Sequence, residues 1–202
     1  MNRTSALIAG GLLTLASYGA QAQTTGVQLR TDPGFYVGAG IGRSEARDFC
    51  NIGGACDSKD MSWNLFAGYQ LNRHFAIEIG YSDFGEASSS GFVGGVPTTI
   101  VAETTALELV GVGSVPLTDN FSIYAKLGMF RYDSDGSATG GLAGTSGDKG
   151  TEFTFGFGAE YAFARNFAAR LEWQRYLEVG SGILGIPKAD IGVLRASARY
   201  RF

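Results

Sequence analysis

The stretch TEFTFGFGAEYAF, residues 151–163, decides the fold. Its odd positions are Phe153, Phe155, Phe157, Ala159, Tyr161 and Phe163, and its even positions are Glu152, Thr154, Gly156, Gly158, Glu160 and Ala162. One side is almost wholly aromatic and the other is small, polar or acidic. A period of two is the signature of a β-strand whose faces meet different surroundings. The question is what covers so much apolar surface.

Working outward, the same alternation recurs. Predicted strands occupy residues 35–45, 61–70, 74–84, 100–115, 121–132, 151–163, 167–179 and 190–202. Phe35, Val37 and Ile41 oppose Tyr36, Gly38 and Gly40, and Trp63, Leu65 and Tyr69 oppose Asn64, Phe66 and Gln70. Leu171 and Trp173 oppose Arg170, Glu172 and Gln174. The pattern is mixed near Val110 and Val112. No segment has a convincing amphipathic-helix period.

The connectors alternate in length. Residues 71–73, 116–120 and 164–166 read as tight turns. Residues 85–99, 133–150 and 180–189 read as long loops, the first two rich in Gly, Ser and Thr and expected to be solvated. Eight strands, an even number, with short turns at one end and long loops at the other, predict an all-β, eight-stranded antiparallel up-and-down transmembrane β-barrel. Each strand exceeds the roughly 9–11 residues that a tilted strand needs to cross a bilayer. Closure also pairs every backbone polar group, which hydrocarbon requires.

Charge placement supports this orientation. Glu78, Glu108, Lys126, Glu160, Arg170, Glu172, Arg195 and Arg199 all fall on the inward parity. They predict an ion-pair network that plugs the lumen, because an eight-stranded barrel is just wide enough for side chains to fill. The competing arrangement is a soluble, lipocalin-type barrel with the aromatic faces inward. It would have to crowd the large residues of every strand into that narrow lumen.

Composition bounds the rest. The chain has 202 residues, 17% charged, with 31 Gly and a net charge of −3, so no nucleic-acid partner is indicated. Residues 1–22 read as a signal peptide: Arg3, an apolar run ALIAGGLLTLA, then Ala20-Gln21-Ala22 as cleavage motif. Residues 23–34 form a mature extension, and residues 35–202 the outer-membrane barrel domain. In an oxidising compartment, Cys50 and Cys56 are expected to pair as a disulfide, with a metal pair as the weaker alternative. The lone His74 sits at a turn on the expected periplasmic side, across the membrane from the leaflet that holds lipid A, so neither catalysis nor a cofactor is expected.

Two further features are read from position. Arg43, Arg131 and Arg175 share the outward parity near the loop ends of their strands, at the height expected for lipopolysaccharide phosphates. Aromatics bracket the span, with Tyr69, Phe75, Phe121, Phe163, Phe167 and Phe202 toward the turns and Trp63, Tyr81, Phe153 and Trp173 toward the loops.

The phrase FAGYQLNRHFAIEIGYSDF, residues 66–84, resembles the second and third strands of OmpA-type barrels, and Tyr200-Arg201-Phe202 resembles the terminal aromatic signal read by the outer-membrane assembly machinery. The resemblance is to the OmpA/OmpX-like, opacity-antigen group of small barrels and extends over residues 35–202. It implies a non-enzymatic outer-membrane protein, with membrane lipid, lipopolysaccharide and host or phage surfaces as partners. It also implies a salt-bridge gate, for which Glu78, Lys126, Glu160 and Arg170 or Arg195 have the right parity and depth. A peptidoglycan-binding domain is not expected. The alternatives are a narrow ion or solute channel and a lipid A-modifying enzyme.

Overall fold

The computed structural model describes residues 32–46, 55–57, 59–140, 144–179 and 189–202. The predicted signal peptide, most of the mature extension and Cys50 lie outside these residues, as does the side chain of Cys56, so the disulfide does too.

The described chain is extended almost throughout. Its strands are β1 (Gly34–Ala46), β2 (Ala55–Asp57), β3 (Lys59–Gln70), β4 (Phe75–Val93), β5 (Val96–Pro116), β6 (Phe121–Thr139), β7 (Gly144–Ala162), β8 (Phe167–Val179) and β9 (Ala189–Arg201). The sheet order is β2-β4-β3-β1-β9-β8-β7-β6-β5, and β4 also pairs with β5. That last pairing closes eight long antiparallel strands into a barrel; short β2 lies on the edge of β4 above β3. Closure brings chain start to chain end, with Val37 opposite Tyr200 and Ile41 opposite Ala196.

The two faces differ as the period of two demands. Phe35, Ile41, Met61, Leu109, Leu127, Phe157 and Leu171 are exposed on the outside, while Tyr36, Asn64, Glu78, Glu108, Tyr176 and Arg195 are buried within. So extensive an apolar belt is stable only against hydrocarbon. Aromatic contacts mark both rims. Phe167 stacks on Phe163 and tilts against Tyr200 at the turn end, and Trp63 meets Tyr81 toward the other end.

The expected tight turns are present, bridged by short backbone bonds such as Leu71 N to Phe75 O and Leu117 N to Phe121 O. Two expected long loops are not loops. Residues 85–99 continue β4 and β5 as a paired ribbon around a turn at Gly94 and Gly95, whose φ values of 60° and 82° suit a tight hairpin. Most of residues 133–150 likewise extends β6 and β7, with Asp133 opposite Lys149 and Ala138 opposite Gly144. Backbone pairing needs no apolar face, so small polar side chains hid these extensions from a reading based on hydrophobic alternation. Above the membrane no lipid covers the outer face, and inward burial is carried by scattered residues such as Thr98, Ile100 and Ala138, so the apolar alternation fades.

A β-bulge between Asp83 and Glu86 marks where the β4–β5 ribbon leaves the barrel. Gly85 sits there at φ 73°, and the Asp60 carboxylate accepts hydrogen bonds from Glu86 N at 2.8 Å and Met61 N at 2.7 Å. An added Cβ at Gly85 would lie 2.5 Å from Asp60 Oδ2, so this close approach also requires glycine.

Candidate functional site

Among the described residues, strand parity gathers a dense cluster of charged side chains in the lumen. Adjacent strands bring Glu160 opposite Arg170 and Glu172 opposite Arg195, while Glu78 and Lys126 reach inward from β4 and β6. All eight predicted lumen charges are buried.

Glu78 is the hub. Its Oε1 accepts from Arg170 Nη1 at 2.6 Å and from the Tyr36 hydroxyl at 2.7 Å, and its Oε2 lies 2.8 Å from Lys126 Nζ. Lys126 also reaches Glu172 at 2.7 Å, to which the Tyr124 hydroxyl donates at 2.9 Å. Arg170 Nε donates to Glu160 at 2.6 Å, and Arg199 closes on the other Glu160 oxygen at 2.7 Å. Aromatic faces complete the cage: the Arg170 guanidinium lies 5.1–5.4 Å from the rings of Tyr124, Phe66 and Tyr36. In this low-dielectric space, multiply bonded charges are held firmly in place.

Glu108 and Arg195 are arranged differently. Glu108 is bonded by neutral donors, Gln174 Nε2 and the Tyr176 hydroxyl, each at 2.8 Å. Arg195 lies 3.7 Å from Glu172, beyond hydrogen-bond reach. Toward the ribbon end, Phe84, Phe130, Tyr132, Tyr176, Val179, Ile191 and Val193 form an apolar plug, with Phe84 and Phe130 edge-on to Tyr176 at 4.7 and 5.0 Å. At the turn end, a shallow recess is lined by Gln70, Arg73, Tyr124, Arg170 and Arg199.

Parity placed Tyr36, Tyr124, Gln174 and Tyr176 inward, but not as the hydrogen-bond partners of the carboxylates. The usable signal was their alternation with charged residues: Arg170, Glu172, Gln174 and Tyr176 follow one another along one face of β8. Val110 and Val112 prove to be inward, packed with Phe66 and Tyr124.

Outside the lumen, Arg43 and Arg131 are exposed on the outer face. Arg175 instead donates through Nη2 to Asp190 at 2.7 Å. Asp190 also accepts from Glu178 N at 3.0 Å, so it holds the irregular end of β8. Tyr200 and Phe202 face outward, 5.2 Å apart. His74 is exposed at a turn, its Nδ1 3.1 Å from Ser114 O. Among the described residues, no group of His, Cys, Asp and Glu is arranged to hold a metal.

Comparison with known proteins agrees with this architecture. The OmpA-like transmembrane domain family matches residues 30–202. Outer membrane protein A of Klebsiella aerogenes is 29% identical over 100% of this chain and 56% of its own length. Outer membrane protein A of Klebsiella pneumoniae is 30% identical over 85% of this chain and 52% of its own. The chain thus spans about half the length of the curated relatives it matches. Among solved structures, Neisserial surface protein A superposes with a TM-score of 0.58 at 16% identity, covering 85% of this chain and 99% of that one. The N-terminal β-barrel domain of Pseudomonas aeruginosa OprF gives 0.55 at 11% identity, covering 84% and 98%. Ail of Yersinia pestis, solved with the heparin analogue sucrose octasulfate, gives 0.51 at 14% identity, covering 86% and 100%. With a closed barrel, an apolar exterior and an ionic interior, the chain belongs to the OmpA-like transmembrane domain family and resides in the outer membrane.

Proposed function

We propose that the protein is a non-enzymatic surface barrel whose lumen is closed and whose raised β-ribbons meet the cell's surroundings. The observation that carries this is the lumen filling: the network centred on Glu78, Lys126 and Arg170 spans the mid-section, and the Tyr176 plug lies beyond it. Planar-bilayer recording tests it. Purified protein is expected to show no sustained conductance; steady, selective channels from the unaltered protein overturn the closed-lumen reading. A second reading, a narrow gated channel, is favoured by one observation: Lys126 is shared between Glu78 at 2.8 Å and Glu172 at 2.7 Å, so one cation serves two alternative partners. Conductance that changes on Glu78→Gln would favour it.

The ribbon surface argues against a sulfated polyanion as its ligand. Glu86, Glu103 and Asp135 form a row across three strands, and like charge repels sulfate. Lipopolysaccharide contact falls to Arg43 and Arg131, since Arg175 is committed to Asp190. Retained lipopolysaccharide, measured by mass spectrometry, is expected to drop in the Arg43→Ala, Arg131→Ala variant; unchanged retention contradicts the contact. Export by residues 1–22, the Cys50–Cys56 disulfide and Tyr200-Phe202 as an assembly signal belong to the same reading. Intact mass before and after reduction checks the first two, and the membrane yield of a Phe202→Ala variant checks the third.

A further inference from the structure

The β4–β5 ribbon ends in exposed apolar side chains. Phe92 is 73% exposed and Val96 47%, and Pro97 beside it is exposed too. Gly94 and Gly95 turn the chain between them with φ values of 60° and 82°, which fixes a tight hairpin and so the shape of the tip. The turn stands in open space: a Cβ added at either glycine would meet nothing within 4 Å. Phe92 is the only aromatic in residues 85–120, and none of residues 87–102 is charged.

An apolar tip on a polar stalk needs an apolar partner. Register says which kind. Phe92 pairs with Pro97, so these two share one face, and Val96, the neighbour of Pro97 in its strand, falls on the other. A groove on a folded protein takes one face of a ribbon and leaves the other in water. A fluid lipid interface surrounds the tip and takes both. Charge narrows the choice further. The tip carries no basic residue to draw it to anionic headgroups. The acidic row of Glu86, Glu103 and Asp135 is too distant to repel them, since Glu86 to Gly94 spans about 27 Å at roughly 3.4 Å per residue. The Debye length at physiological salt is about 8 Å.

We propose that the β4–β5 tip is a membrane-docking element, with Phe92 and Val96 entering the headgroup region of a second phospholipid bilayer that faces the cell. This rests on the reading that the ribbons meet the cell's surroundings. One tip binds weakly, and many barrels side by side in one membrane bind together. The contact is apolar, so neither salt nor headgroup charge alters it.

Tethering of protein-free phosphatidylcholine vesicles to a supported bilayer that carries the mature protein tests this. The unaltered protein is expected to hold the vesicles equally at low and high salt. Phe92→Ser with Val96→Ser, outside the barrel, should lower tethering about tenfold. In nanodiscs, the Phe92→Trp protein should be quenched by added vesicles of brominated phosphatidylcholine, beyond any quenching of the parent. No tethering by the parent, undiminished tethering by the double variant, or quenching no greater than the parent's overturns the docking element. So does tethering that needs anionic lipid. Tethering that needs the protein in both membranes overturns it in favour of a second copy of the chain. Labelling of a Ser90→Cys protein on intact cells with an impermeant maleimide, against the parent as blank, reports the surface reading separately. No labelling overturns that reading and the inference with it; labelling without tethering overturns the inference alone.

Discussion

At the scale of single residues, the controlling fact is that a charge inside this barrel is tolerated only with its partners. Glu78 receives Tyr36, Arg170 and Lys126, so it is fully compensated although buried. Removing one member leaves the others as uncompensated buried charges, which costs about 3–5 kcal/mol. Glu78→Ala is therefore expected to destabilise by that order, measured by urea unfolding in lipid vesicles. The double change Glu78→Leu with Lys126→Met should recover much of the loss, because it removes both signs of charge. A Glu78→Ala protein as stable as the parent would contradict the compensated network. Sequence parity was sufficient to assign each of these charges to the interior. It could not show that Glu108 is bonded by Gln174 and Tyr176 while Arg195 reaches Ser82 at 3.4 Å and Glu172 at 3.7 Å, because partner choice depends on strand stagger around the barrel.

At the scale of elements, the strands were legible where two environments meet. Along β3, Met61, Trp63 and Leu65 alternate with Ser62, Asn64 and Phe66, and the faces follow. Where β4 to β7 rise beyond the apolar belt, that contrast fades, and the strands there carry the composition of loops. Two carboxylates take backbone amides at the ribbon base, Asp83 that of Gly85 at 2.9 Å and Asp60 those of Met61 and Glu86. Hydrogen bonds from the amides of Glu86 and Met61 keep the Asp60 carboxyl below its ordinary range. Beside it, a hydrogen bond to Glu86 and that residue's charge raise Glu103. A carboxyl with a depressed native pKa stabilises above its unfolded value and loses that contribution as pH falls through the native one. Acidification below the ordinary carboxylate range is therefore expected to lower hydrogen-exchange protection at Met61 and Glu86, after correction for intrinsic rates. Barrel amides such as Leu127 should keep theirs. Asp60→Asn should show the weakened protection already at neutral pH. Protection at Met61 and Glu86 that is indifferent to both changes would contradict this role of Asp60.

At the scale of the whole molecule, the fold is an inside-out protein: apolar residues face outward, and the ionic cage fills the interior. Closure between β1 and β9 leaves no transmembrane edge, and the closed ladder supplies the backbone pairing that hydrocarbon demands. The chain carries two tryptophans, Trp63 and Trp173, both on the outer face toward the ribbon end. That makes a direct test of which way the aromatic faces look. Fluorescence of the protein in vesicles is measured with phospholipids brominated along their acyl chains, and separately with aqueous iodide. Strong quenching by the brominated lipid with little by iodide is the predicted result. Tryptophans untouched by the brominated chains would place the aromatic faces inside and contradict the account.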